Sequence, residues 1–165
     1  MFHVSVSEES DNLCPTGWRY YQTGMCYKYF SQKMNWYEAA SNCRNEKVGQ
    51  KNKFWVQEHS IHSIFKGTLA SIPDSSTNNF VTELSSGDFW VGGHRSSSNY
   101  YIWEWSSGAP WQYTNWNEGE PNGYFELCVQ VYKTSYHGTK YRWNDDDCSR
   151  GTGFVCQQVC NHVFT

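Results

Sequence analysis

The chain has 165 residues, a formal net charge of -3 and an aromatic content of 18%, with nine Trp and twelve Tyr. That length suits one domain with a single core. The weakly negative charge excludes the basic footprint of a nucleic-acid binder, and no apolar run approaches the length a membrane helix needs.

Seven cysteines lie at positions 14, 26, 43, 128, 148, 156 and 160, with no Cys-x-x-Cys pair. Such wide spacing argues against zinc and redox motifs, and their density points to a disulfide frame in an oxidising compartment. No apolar h-region precedes Cys14. The chain is therefore read as the mature form of a secreted protein.

Residues 1–13 are polar and aperiodic, and read as a loose arm. Cys14 to Phe30 carries β-favouring aromatics on either side of a turn. It predicts a hairpin that a Cys14–Cys26 bridge would staple. Asn35 is a good N-cap, and Glu38 three residues on completes a capping-box pattern. Trp36, Ala39, Ala40 and Cys43 then share one helical face. Residues 44–66 read as a surface insertion. His59 and His62 within it lack further clustered ligands, so surface histidines are the default reading.

Leu69 to Ile72 predicts a short strand. Ser75 or Ser76 is expected to cap a second helix through Leu84, with Phe80, Val81 and Leu84 on its apolar face. Phe89 to Gly93 reads as a central strand with Trp90 in the core. Tyr101 to Trp105 alternates as a half-buried strand does. A long loop from about 107 to 145 follows, and a loop of that length needs a functional reason.

Within it stand Glu120-Pro121-Asn122, then Glu126, then Trp143-Asn144-Asp145. Glu120, Asn122, Glu126, Asn144 and Asp145 are hard oxygen donors, the kind that Ca2+ gathers six to eight of at about 2.3–2.6 Å. Each amide can donate to a sugar hydroxyl and each carboxylate can accept from one. A cis Glu120-Pro121 bond would aim the flanking side chains at one spot, and cis peptides are essentially a proline feature.

Glu-Pro-Asn followed by Trp-Asn-Asp, each with a cysteine after it (Cys128 and Cys148), resembles the sugar-binding signature of C-type lectin domains. The resemblance runs from about Cys14 to Cys156. It implies an α+β, double-loop, disulfide-stapled fold with two helices and two small antiparallel sheets over residues 14–157. A tail at 158–165 carries the extra cysteine. It also implies a Cys43–Cys156 bond from the first helix to the last strand. A Cys128–Cys148 bond is expected at the base of the long loop. That loop is expected to gain order over 110–145 when it binds calcium.

Members of this family also hold an auxiliary calcium with acids that are missing here. Leu127 stands in one such place, and His94 to Tyr101 contains no acid. One Ca2+ per chain is therefore expected. Cys160 is left over once six cysteines pair, which points to an interchain bond in a disulfide-linked homodimer.

Glu-Pro-Asn usually goes with mannose, glucose or N-acetylglucosamine in the family. Some marine-invertebrate members instead bind galactose through it, with an aromatic ring turning the sugar over. Tyr124, Phe125 and Trp116 are the leading candidates for that ring, beside Trp111, Tyr113 and Tyr141. The aromatic crowding favours galactose or β-galactosides on cell-surface or microbial glycans. A member that binds protein or ice is the alternative of another class. No nucleophile elbow, metalloprotease helix or phosphate loop is present, so an enzyme is not expected.

Overall fold

The computed structural model describes residues 13–21, 24–46, 67–133 and 140–160. The arm before Leu13, and His59 and His62 in the insertion, lie outside the described residues.

Strands β1 (Arg19–Tyr21) and β2 (Met25–Met34) form the expected antiparallel hairpin, with Tyr20 opposite Cys26. Helix α1 (Trp36–Asn45) starts where its cap dictates. The Asn35 side chain accepts from Glu38 N at 2.9 Å, and the Glu38 carboxylate accepts from Asn35 N at 3.2 Å. Two otherwise orphaned donors are thereby satisfied. The helix buries Trp36, Ala39, Ala40 and Cys43, the four residues of its periodic face.

Helix α2 (Ser75–Leu84) is capped by Asp74 rather than by Ser75 or Ser76. The Asp74 carboxylate accepts from Thr77 N at 2.7 Å, which places the cap one residue earlier than the serines suggested. Its buried face is also more polar than expected. Val81 is buried together with Thr77, Asn78 and Thr82, while Phe80 and Leu84 are only partly covered.

The remaining strands are β3 (Thr68–Leu69), β4 (Phe89–Arg95), β5 (Trp103–Trp105), β6 (Cys128–Val131), β7 (Trp143–Asp146) and β8 (Thr152–Val159). They join β1 and β2 in one mixed sheet of order β1-β2-β8-β4-β6-β7, with β3 also on β8 and β5 on β4. The two antiparallel sheets expected from the resemblance are thus continuous. A short parallel contact between β4 and β8 joins them, with Phe89 opposite Gly153 and Trp90 opposite Phe154. β8 can carry strands on both edges because all but its last residue is buried. It also runs to Val159, two residues into the expected tail.

Strand β6 lies inside the stretch read as loop. Its Cys-Val-Gln-Val alternation pairs with β7 over four residues, Cys128 to Asp146 through Val131 to Trp143. β5 is shorter than the pattern suggested, since Tyr101 and Ile102 stay exposed ahead of it.

Three disulfides form: Cys14–Cys26, Cys43–Cys156 and Cys128–Cys148. The second closes 113 residues and the third 20. In the chain-entropy picture such loops are worth about 4.7 and about 3 kcal/mol. Cys160, expected to pair between chains, is a free and buried thiol within this chain. It is 3% exposed, its backbone N donates to Gly24 O at 2.9 Å, and its Sγ lies 2.9 Å from Cys26 Sγ. An interchain bond would require this enclosed sulfur to leave its packing.

Candidate functional site

The β6–β7 pair sets the floor of the site. Register puts Asp145 opposite Val129 and Asn144 opposite Gln130, and Cys128–Cys148 fastens the end of the pair. Asp145 is 0% exposed. Its Oδ1 accepts from Asn122 N at 2.9 Å and its Oδ2 from Gly123 N at 3.1 Å. A buried carboxylate needs such donors, because desolvation without them is costly.

These two bonds pin the turn that precedes them. The Glu120-Pro121 peptide is cis, as the sequence suggested. Glu120 N donates to Asn117 O at 3.0 Å, which closes the approach to the turn. Gly123 lies directly against the Glu126 carboxylate, and a Cβ there would push that side chain aside. Glu120, Asn122, Glu126, Asn144 and Asp145 therefore gather at one end of the sheet.

Within that group the engagement differs. The side chains of Asn122, Glu126 and Asn144 make no hydrogen bond among the described residues. Glu120 Oε2 is enclosed without a partner. Among the described residues, the trio whose ligand atoms lie within 4.8 Å of one another is Cys14, Cys26 and Cys160; Glu120, Glu126 and Asp145 are spread more widely.

The acids disturb one another. Burial pushes the Glu120 carboxyl up to about 7, helped by its hydrogen bond with Asp145 and by the charges of Asp145 and Glu126. Glu126 is raised by burial first, then by Asp145 and Asp146. Asp146 is also raised by burial, although Asp147 N and Arg150 oppose the shift. Its Oδ1 accepts from Asp147 N at 2.8 Å and lies 3.4 Å from Arg150 Nε, while its Oδ2 is enclosed without a partner. Crowded carboxylates raised by burial and by one another form a cluster that a divalent cation could neutralise. The orphaned Glu120 oxygen and the all-oxygen donor set suit calcium.

Two residues that sequence reasoning missed complete the surroundings. Arg95 Nη2 stands 3.6 Å from Asp145 Oδ2. Asn78 on α2 accepts from Trp143 Nε1 at 2.8 Å and donates to Tyr141 O at 3.1 Å, which ties the helix to the site strand. Neither has a local sequence signal, since their partners lie 50 and more residues away.

The aromatic candidates separate by exposure. Trp116 is half-buried, with its ring 4.9 Å from Trp103 and 5.7 Å from Trp143. Trp111 and Tyr113 also pack against Trp143, at 5.7 and 5.6 Å. Tyr141 is held at φ 67°, and its carbonyl accepts from the side chains of Asn78 and Asn115. Tyr124 and Phe125 are 71% and 82% exposed, with rings 5.0 Å apart. Tyr101, 85% exposed on the neighbouring loop, belongs to the same rim through Tyr100.

A disulfide-stapled α+β domain that offers oxygen donors and aromatic rings on long loops is a binding domain. The Lectin C-type domain pattern matches residues 55–158, and the chain belongs to that family. It is a family of carbohydrate-binding lectins and related non-enzymatic binding proteins.

The chain is 34% identical to C-type lectin lectoxin-Phi2 of Philodryas olfersii, over 90% of this chain and 85% of that protein. It is 31% identical to a C-type lectin mannose-binding isoform of Oxyuranus scutellatus, over 93% and 88%. Among solved structures, C-type lectin CEL-I from Cucumaria echinata superposes with a TM-score of 0.71, at 22% identity over 91% of this chain and all of that one. A calcium-independent type II antifreeze protein does so with a TM-score of 0.71, at 23% identity over 90% and 95%. These two likenesses speak for the fold alone. The Philodryas olfersii and Oxyuranus scutellatus relatives are snake lectins, and the likeness to the Cucumaria echinata lectin is one of architecture.

Proposed function

We propose that this protein is a secreted, calcium-dependent lectin that binds terminal hexoses through neighbouring hydroxyls. One observation carries the reading. The cis Glu120-Pro121 turn is fastened to buried Asp145 by backbone hydrogen bonds, which leaves Asn122, Glu126 and Asn144 with free side chains beside it. Glu120, Asn122, Glu126, Asn144 and Asp145 would hold one Ca2+. When bound, the ion neutralises these carboxylates and offers coordination places to sugar oxygens. The chain's own groups then supply orientation, the amides of Asn122 and Asn144 as donors and the carboxylates of Glu120 and Glu126 as acceptors.

Galactose is the favoured sugar. Exposed Tyr124 and Phe125 stand in the chain between Asn122 and Glu126, and a ring stacked on the apolar face of a galactoside contributes on the order of 1 kcal/mol. A mannose-type preference is the second reading. It is favoured by the Glu120-Pro121-Asn122 motif and by the similarity to a mannose-binding isoform. The natural partners on either reading are glycans of cell or microbial surfaces.

A glycan array with and without EDTA tests the first claim, and binding that survives EDTA would refute calcium dependence. A hapten series then separates the sugars. Lactose should inhibit and mannose should not; the reverse result assigns the mannose type.

A further inference from the structure

Both oxygens of Asp145 accept backbone N–H groups of the Glu120–Gly123 turn, and beside them stands a cation that the chain itself provides. Arg95, the last residue of β4, is held at several points, although its buried Nε has no hydrogen-bond partner among the described residues. Its backbone N donates to Leu127 O at 2.8 Å, and its Nη1 donates to Tyr100 O at 3.0 Å. Its guanidinium carbon sits 4.4 Å from the Tyr100 ring centroid and 4.1 Å from that of Trp103. Nη2 faces Asp145 Oδ2 at 3.6 Å.

Tyr100 closes the circuit, since its hydroxyl donates to Gly123 O at 3.0 Å. The contacts therefore run from Arg95 to Asp145, from Asp145 to Gly123, from Gly123 to Tyr100, and from Tyr100 back to Arg95. Four residues from three segments fix one another, with a single positive charge among them. Around that charge lie Glu120 and Glu126, which repel Asp145 and each other.

We propose that Arg95 is a positioning residue of the site. Its guanidinium keeps Asp145 aimed at the backbone of the Glu120–Gly123 turn, so that the turn holds its binding shape before calcium arrives. A buried carboxylate among other acids is held in place by a neighbouring counter-charge, here 3.6 Å away. Arginine suits the task better than lysine. Its planar fork serves a carbonyl and a carboxylate together while its faces lie against two rings, which a point-like ammonium does not do. The inference rests on the calcium-site reading for the identity of the turn. It narrows the expectation that residues 110–145 order only with the ion, because the turn is exempt.

Residue-resolved amide exchange of the full chain tests this, with wild type, Arg95→Met and Arg95→Lys each measured in EDTA and in CaCl2. The Asn122 and Gly123 amides, which donate to Asp145, are the reporters. In wild type their protection should differ by less than about threefold between EDTA and calcium. In Arg95→Met it should fall by about tenfold or more in EDTA and return with calcium, while β2 and β8 amides keep their protection. Arg95→Lys should fall between the two.

A wild type that loses about tenfold at both amides in EDTA overturns the proposal, and so does an Arg95→Met protein that matches wild type. Should Arg95→Met fail to fold, the wild-type comparison and Arg95→Lys decide by the same thresholds. Calorimetric titration with CaCl2 alone keeps the two readings apart. No binding there refutes the calcium site, while the EDTA arm still decides the role of Arg95.

Discussion

Two groups of aromatic rings lie near the acids of the site, and they differ in what they face. The first contains Trp103, Trp105, Trp111, Trp116 and Trp143. Its rings pack on one another, as in the 4.5 Å contact of Trp105 with Trp111 and the edge-on contact of Trp105 with Trp143 at 5.6 Å. The second contains Tyr100, Tyr101, Tyr124 and Phe125, from two loops, with only Tyr100 drawn inward. The aromatic excess in composition is therefore two signals. Tryptophans on or beside strands tie the long loop into the core of the sheet, with Val91, Val129 and Val131. Tyrosines and a phenylalanine at the loop tips leave large apolar faces in water, where a ligand can meet them.

The comparison breaks most visibly at its buried side. Trp143 is fully buried, and its indole N–H is used by Asn78. Trp143→Ala should cost about 3–5 kcal/mol of unfolding free energy, read by chemical denaturation. A loss below about 1 kcal/mol would mean that the tryptophan group does not support the fold.

The acids between the two groups give the next effect. Glu120 has its pKa pushed up to about 7, above the ordinary carboxylate range. Without an ion it therefore carries a proton below about that pH, and the proton competes with calcium. Affinity for Ca2+ should rise from pH 5.5 to 7.5 by roughly tenfold or more, with proton release on binding. Calorimetry at the two pH values measures it, and equal affinities would show that no ligand of the ion takes up a proton in that range.

The exposed side should respond least in stability and most selectively. Tyr124→Ala and Phe125→Ala should each weaken glycan binding by up to about tenfold, the weight of an aromatic contact near 1 kcal/mol. Their denaturation midpoints should stay at the wild-type value. A midpoint shift as large as that of Trp143→Ala would erase the distinction between the groups.

Legibility in the sequence follows the range of the interaction. Local chemistry was readable: the Asn35–Glu38 cap, the Trp36/Ala39/Ala40/Cys43 face, the hairpin and the Glu-Pro-Asn turn all depend on residues within one turn of one another. Strand β6 was hidden because four residues are too few to show a period in a polar stretch. Asp74, the actual cap, could not be told from the serines in the sequence because helix caps shift by a residue without any change in pattern. Cys160 looked like a tail residue, yet it lies under the hairpin because β8 continues past the last expected staple. Arg95 carried no sign of its role, since a charge at a strand end ordinarily reads as solvated. Only the fold brings Asp145 to it.

Asn78 makes one helix answerable for a loop it never touches in sequence. Its amide grips the indole of Trp143 and the carbonyl of Tyr141, the two residues through which the chain enters β7. Substitutions that disturb the loop would thus include changes at Asn78, and a map of them drawn on the primary sequence would look scattered although it marks a single joint.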